Sequence, residues 1–493
     1  MNRMNLCAAV LGLQSLGTWG AWGVGATVLL WGEDARGQTV VRGPVYRSQT
    51  QTRYYLIEAP NWNAAAFKAG AMGGELAKID DAGENEWIRT NLFTTGTKAF
   101  IGLNDAAQEG VLEWSGGGES AYRNWNGGNS GNSGSSDYAY MESTGGTWLM
   151  AGATYTPYAI VEVTGPIRLP GEFASFSEAG PFMGVLSQEV QILPGETPMG
   201  NSAVITIPPG KKVTVQGYGA EHSSIKSRIS GETLTLRGAW EFRDLAIVGT
   251  DGGRPLLQLG DGASEFEGVE LTKTGTLVGP AISVLSGAST TWRRSRLHDL
   301  WTAPVIFQQG SLPSRFENCL FSNIDYYVMF MFYGTDVTLS SCTVTGTPDV
   351  GISAFNANGG GTLNIENSIL WGLPQDLFHH ALTVNVRYSN VQSAQAGEGN
   401  ISLPPEFVSG YRLGASSPCI DAGSTRIYEG SLFDLAGGLR LIDDPAMYNA
   451  GIGGIDMGCF EAPSGGCHAD FDGSGFVDLD DFAAFVAAFE SGC

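Results

Sequence analysis

The sequence predicts a multidomain chain: a mixed α+β domain, then an all-β parallel β-helix, then a small α-helical module built on a metal-binding loop. Three observations carry that prediction. A short phrase returns through the middle of the chain at a period of roughly 24 residues, within the range of stacked coils. Before it, helix-forming stretches alternate with aromatic-rich strands. After it, the last acids are spaced as in a calcium loop. The expected divisions are a leader over 1–37, a first domain over 48–164, coils with their cap over 165–463, and a terminal module over 464–493.

The repeat starts at Phe242-Arg-Asp-Leu245-Ala-Ile247 and returns as Phe266-Glu-Gly-Val269-Glu-Leu271 and Trp292-Arg-Arg-Ser295-Arg-Leu297. It continues as Phe316-Glu-Asn-Cys319-Leu-Phe321, Leu339-Ser-Ser-Cys342-Thr-Val344, Ile365-Glu-Asn-Ser368-Ile-Leu370 and Val386-Arg-Tyr-Ser389-Asn-Val391. One phrase per coil stacks a large apolar ladder, a small one and a second apolar one. Just before the small ladder stands a polar or glycine column: Asp244, Gly268, Arg294, Asn318, Ser341, Asn367 and Tyr388. Asn and Gly tolerate the left-handed backbone of a bend between short strands. The regular repeat spans about Leu234 to Val391, Val213-Thr-Val215 is an imperfect early coil, and Ala203–Ile207 is expected to cap the solenoid.

Composition bounds the function. The chain has 70 glycines and a net charge of −23, which argues against nucleic acid, whose phosphates need Lys and Arg. Arg3, the apolar run from Leu6 to Gly32, and Ala35-Arg-Gly37 before Gln38 read as a secretory signal peptide, with an uncleaved anchor as the alternative. No other stretch is apolar enough to span a bilayer, so export to the medium or the cell surface is expected. Cys319 and Cys342 fall on one ladder in successive coils and are expected as stacked buried thiols, because strand-to-strand geometry rarely suits a disulfide. Cys419 could bridge Cys459 within the cap, and Cys467 could bridge Cys493.

In the first domain, Tyr54-Tyr-Leu56 opens a strand and Trp62 to Gly70 forms a helix capped by Asn61. A second helix covers Glu84 to Leu92, followed by Phe100-Ile101-Gly102-Leu103-Asn104-Asp105, Trp114, Trp125, a Gly/Ser/Asn loop, Trp148 and Tyr158 to Glu162. In order and spacing this resembles a C-type lectin-like domain. The resemblance implies glycan or protein binding and, in sugar-binding members, Ca²⁺ held by a loop triplet and a Trp-Asn-Asp. Here the family's cysteine positions hold Ala69, Tyr138 and Val161. The loop reads Gly127-Gly-Asn129-Ser-Gly-Asn132, and Trp148-Leu-Met150 replaces Trp-Asn-Asp. Most oxygen ligands of that Ca²⁺ site are therefore lost. Asn129, Asn132 and Asp137 remain as candidate ligand-binding residues, either as a divergent metal site or as direct contacts, and the loop is otherwise a flexible connector.

The run Ser417-Pro-Cys419-Ile-Asp421-Ala-Gly423, Ala436-Gly-Gly438-Leu-Arg440 and Ile455-Asp-Met-Gly-Cys459-Phe-Glu461 resembles the closing segment of right-handed parallel β-helix proteins on bacterial surfaces. Such solenoids include polysaccharide lyases and glycoside hydrolases, so activity must be argued from residues. Arg293, Arg294, Arg296, His298 and Asp299 form a basic spot, with Arg296 and His298 pointing outward. They offer a contact for an acidic glycan, or the arginines pair with Glu270 and other carboxylates on neighbouring coils. No outward set of acids is seen to recur from coil to coil, His379-His380 reads as an exposed loop, and no catalytic constellation stands out.

At the end, Asp470, Asp472, Ser474, Phe476 (through its carbonyl), Asp478 and Asp481 fill the twelve-position calcium loop, with Gly475 at the tight turn. Asp481 at the twelfth place resembles one dockerin repeat, an EF-hand-like unit; dockerins carry two repeats and dock on cohesins. Phe482, Phe485, Val486 and Phe489 line one helical face. Calcium is thus the expected cofactor, and a cohesin-like partner is one option. The sequence favours an exported binding or adhesion protein recognising glycan or surface protein, with a carbohydrate-active enzyme as the alternative.

Overall fold

The computed structural model describes residues 40–462, apart from 129, 131, 186, 229–230, 251, 274–278, 301–303, 325–327, 333, 346–354, 359, 374–376, 378–382 and 441–453. The leader, His379-His380, the Cys467–Cys493 pair and the calcium loop with its helix therefore lie outside the described residues. Among those described, no helix is long and apolar enough to cross a membrane.

The first domain runs β1 (Val40–Arg47), β2 (Thr52–Glu58), α1 (Trp62–Ala71), β3 (Glu75–Leu76), α2 (Ala82–Leu92), β4 (Lys98–Asn104), β5 (Glu113–Trp114), β6 (Tyr138–Glu142), β7 (Trp148–Ala151) and β8 (Tyr158–Val163). Its sheet has the order β1-β2-β8-β4-β6-β7, with β3 on β8 and β5 on β4. Both helices start where a side chain satisfies a free N–H: Asn61 Oδ1 accepts from Ala64 N at 2.8 Å and Asp81 Oδ1 from Glu84 N at 2.7 Å. Alternation along the strands feeds two cores, one around Leu56, Ile101, Trp114 and Trp148, the other around Ile57, Ala69, Phe100 and Val161. Ala69 and Val161, at the family's cysteine positions, are fully buried. Packing takes the place of the cross-link there.

The described residues from Ile167 to Val391 form a parallel β-helix of three sheets with 10, 9 and 7 strands. The ladders read from the sequence are in register throughout. Phe242, Phe266, Trp292, Phe316, Leu339, Ile365 and Val386 stack strand on strand in the first sheet. Ile247, Leu271, Leu297, Phe321, Val344, Leu370 and Val391 do so in the second. Phe266 and Trp292 lie parallel with centroids 3.9 Å apart, within an aromatic column that adds to simple area burial. Every member of the bend column has positive φ, from 46° at Arg294 to 63° at Gly268. Asp244, Arg294, Ser341 and Tyr388 thus bear a conformation that side chains disfavour, imposed by the stack on either side.

One feature differs from expectation. Ala203–Thr206 is not a cap: it is a third-sheet strand paired with Leu234–Arg237, and the coils begin at Ile167–Leu169. The early coils hide because a short helix, Phe176–Ala179, breaks their period. Outward charges of both signs also recur from coil to coil, a pattern that a reading of acids alone leaves out. Arg243, Glu267, Arg293, Glu317, Ser340, Glu366 and Arg387 stand in one column of the first sheet. Charges alternate in sign down most of that column, so opposite charges face each other across strands.

The C-terminal segment clasps the second sheet. Asn318 Nδ2 donates to Tyr428 Oη at 3.1 Å and to the Phe433 carbonyl at 3.0 Å; Asn367 Nδ2 donates to the Ser424 carbonyl at 3.0 Å; Thr343 Oγ1 accepts from Cys459 N at 3.0 Å. Buried Arg440 holds the segment together through the Asp456 and Gly458 carbonyls. All four described cysteines are free and buried. Cys319 and Cys342 are stacked thiols as expected, but Cys419 and Cys459 are not bridged. Cys419 Sγ sits 3.1 Å from Asn390 Nδ2, whereas Cys459 packs with Leu320 and Phe460. Burial pushes both of these thiols up to about 12.

The first domain is fastened to the β-helix by a buried ion pair. Arg53 grips Glu172 through Nε–Oε1 at 2.5 Å and Nη2–Oε2 at 3.0 Å, both side chains being 0% exposed. Tyr55 Oη donates to the same carboxylate at 2.5 Å, and Arg168 Nη1 reaches the Gly73 carbonyl at 2.9 Å.

Candidate functional site

In the first domain the long loop between β5 and β6 is tied down at several points. At the end of β4, buried Asp105 accepts from Gly110 N at 2.8 Å and from Asn132 Nδ2 at 2.7 Å, both through Oδ2. Its own N–H donates to the Asp137 carbonyl at 3.0 Å. On the far side of the loop, Met150 N donates to the Ser130 carbonyl at 2.7 Å and Trp148 N to the Asn124 carbonyl at 2.8 Å. Trp148 is the hub beneath: its Nε1 donates to Asn85 Oδ1 at 2.7 Å, and Trp114, Tyr122 and Trp125 meet it edge-on. The loop is thus anchored, where a loose connector was one reading.

Of the candidate residues, Asn132 and Asp137 converge on Asp105, while Asn129 lies outside the described residues. In the sequence Asp105 stands only as part of the fold's signature. Its sequence signal was an acid at a strand end followed five residues later by Gly110, whose N–H it captures. Two buried oxygens remain without a hydrogen-bond partner, Asp105 Oδ1 and Asn132 Oδ1. They give one carboxylate and one amide oxygen where Ca²⁺ takes six to eight oxygens. Leu149 and Met150 add no side-chain oxygen, and among the described residues no three His, Cys, Asp or Glu side chains gather as metal ligands. Among the described residues, the loop does not make up a calcium site of the sugar-binding kind. Its residues fit a pre-shaped polar surface.

On the β-helix, the basic spot is largely neutralised by its neighbours. Arg293 pairs with Glu265 at 3.3 Å and Glu317 at 3.1 Å, and Arg294 with Glu267 at 2.7 Å. His298 is held on both ring nitrogens, by Glu270 at 3.0 Å and Asp299 at 2.8 Å. The hydrogen bond to Glu270 raises the His298 pKa against the burial that lowers it, and the same bond lowers that of Glu270. An imidazole so held has no free nitrogen to trade a proton with a substrate. Arg296 is exposed beside it, in register between Glu270 and Leu320. No contact among the described residues joins this cluster to the loop of the first domain.

A second acid group lies within the first domain. Glu162 on β8 accepts from Lys78 N at 3.3 Å and approaches Glu75 and Glu84. Burial, with these like charges, pushes its carboxyl up to about 8. Glu84 is itself engaged by Tyr54 Oη at 2.5 Å and Arg47 at 3.3 Å.

A family model for the lectin C-type domain matches residues 58–160. These residues are a C-type lectin domain. A model for the right handed beta helix region matches residues 237–386, so the lectin domain is followed by a right-handed β-helix. The lectin domain is similar to a perlucin-like protein of Mytilus galloprovincialis, 29% identical over 100 residues, which cover 19% of this chain and 64% of that protein. It is similar also to the secretory phospholipase A2 receptor of Mus musculus, 32% identical over 73 residues, covering 15% of this chain and 5% of the receptor. Both matches thus span less than two thirds of the curated relative. Among solved structures, the mouse scavenger receptor C-type lectin carbohydrate-recognition domain is 25% identical, covering 25% of this chain and 98% of that one with a TM-score of 0.23.

Proposed function

We propose that this chain is an exported binding protein: the lectin domain recognises a glycan or a surface protein through its anchored loop, and the β-helix carries it as a rigid spacer. The observation that carries this reading is the loop itself, fixed by Asp105, Asn132 and Trp148 on a domain locked to the β-helix by Arg53–Glu172. A pre-shaped surface binds without the entropic cost of ordering a loop. Recognition through it uses direct hydrogen bonds, supported by the two unpartnered oxygens of Asp105 and Asn132 among the described residues. The Asp470–Asp481 loop is the calcium-binding part of this reading, holding together a short C-terminal module that attaches the protein to its surroundings, with a cohesin-like partner as one way to do so.

The test is a glycan array combined with a polysaccharide-degradation panel on the full chain, with and without chelator. The expected result is glycan or protein capture that falls at least tenfold in Asn132→Ala and no release of shortened or unsaturated oligosaccharides. Release of such products would make the protein an enzyme and sink the reading. Calorimetry tests the terminal loop separately. Calcium should bind the wild type, and an unchanged heat in Asp470→Ala/Asp481→Ala would reject that site.

A further inference from the structure

Two of the three outer faces of the β-helix are occupied by the protein itself. The first is crossed by ion pairs such as Lys212–Glu241 and Arg293–Glu317, and the second is covered from Leu320 onward by the C-terminal segment. The third is different. One outward column there reads Val204, Thr235, Gln258, Ser283 and Ile306, without a charge, while the column beside it carries Arg237.

Over the first three strands of that face lies an open pocket of about 440 Å³, in the size range of small-ligand sites. Its floor is a 3.0 Å bond from Thr235 Oγ1 to Gln258 Oε1, which leaves the Gln258 amide hydrogens to donate. Ser202 Oγ accepts from Thr233 N at 3.1 Å and keeps its own O–H. Val204, 65% exposed, and Pro255 supply an apolar wall. Arg254 stands exposed on the rim, and no ion pair links it to an acid among the described residues, whereas Arg237 nearby is paired with Asp261 at 2.8 Å. Among the described residues no acid lines the pocket. On a chain of charge −23, this pocket offers donors, a cation and a flat apolar surface.

We propose that this pocket binds an acidic sugar residue, a pyranose bearing a carboxylate, within a glycan chain. The carboxylate pairs with Arg254, hydroxyls accept from Gln258 and Ser202, and the apolar face of the ring rests on Val204 and Pro255. Planar guanidinium–carboxylate pairing gives the selectivity for acid over neutral sugar. Adjacent coils are spaced about 4.8 Å apart, comparable with the length of one pyranose, so neighbouring sugars can follow the same face. The site stands on its own residues and does not depend on the lectin loop.

The experiment is calorimetric titration of the full chain with oligosaccharides of glucuronate, galacturonate and mannuronate, and with their neutral counterparts. Wild type should bind at least one acidic probe, about tenfold or more tighter than its neutral counterpart, and less tightly at high salt. Arg254→Gln and Val204→Glu should each weaken that binding about tenfold or more while the thermal midpoint stays unchanged. Asp105→Asn/Asn132→Ala should leave it intact. Wild type binding no acidic probe, neutral probes binding equally, or either pocket variant binding as wild type does would overturn the proposal. Loss of binding in the lectin-loop variant would also overturn it, by moving the site to the other domain.

Discussion

The Arg53–Glu172 junction makes a demanding prediction. Both side chains are 0% exposed, so Glu172→Ala strands a buried guanidinium and takes the acceptor from Tyr55. Breaking one side of a buried pair costs about 3–5 kcal/mol, and a lost hydrogen bond about 1 kcal/mol. Arg53 keeps the Gly165 and Pro166 carbonyls at 3.0 and 3.1 Å, which softens the loss toward the low end. The expected cost is about 4 kcal/mol. Arg53→Met/Glu172→Leu with Tyr55→Phe should recover most of it, because apolar replacement of a buried pair is often near neutral. Urea unfolding followed by tryptophan fluorescence measures both, and limited proteolysis should find new cleavage near residues 164–175 in Glu172→Ala alone. A single variant that loses less than about 1 kcal/mol would refute the reasoning. So would a triple variant as unstable as the single.

Two further expectations concern pH. The Glu162 carboxyl is raised to about 8 by burial, so the folded state holds a proton that the unfolded chain releases near pH 4.5. Stability therefore declines from about pH 4.5 to 8, and Glu162→Gln should remove that decline, gaining a few kcal/mol at pH 8–9 and little at pH 4; equal unfolding midpoints at both pH values would contradict it. For the His298–Glu270 pair, the raised histidine contributes fully below its ordinary range and fades as pH rises through its folded value. The lowered glutamate contributes above its ordinary range and fades as pH falls. His298→Gln should thus cost most near pH 5–6, by up to about 1 kcal/mol for a partly exposed pair, and lose that cost past neutrality. Denaturant midpoints across pH check it.

How much could be read beforehand depended on how local each signal was. The ladder from Phe242 to Val386 and the left-handed bends at Asp244 through Tyr388 were legible because one coil repeats one phrase, and burial forces the same side chains inward each time. The helix cap at Asn61 was equally local. What stayed hidden is non-local or alternating. The Arg243–Glu267–Arg293–Glu317 column changes sign at each coil, so no residue type repeats from one coil to the next. The Asp105–Asn132 contact joins residues 27 apart across an irregular loop. Arg53 and Glu172 are 119 apart and meet only when two domains pack. The pocket at Arg254 draws on three successive coils, none of which looks unusual alone. For Cys419 and Cys459 the sequence left a bridge open, and the clasp sends their side chains to different neighbours.

The clasp also decides how the molecule carries load. Hydrogen bonds between parallel coils run along the long axis, so tension along that axis meets them a single coil at a time, as in unzipping. The C-terminal segment crosses this direction and is fastened at Asn318, Thr343, Asn367 and Asn390, in successive coils. Separating those coils means breaking several of these attachments at once, in shear. Coils before Asn318 have no such reinforcement among the described residues. The half of the β-helix nearest the lectin domain is therefore its weaker half in tension, and a pull on the bound ligand would be felt there first.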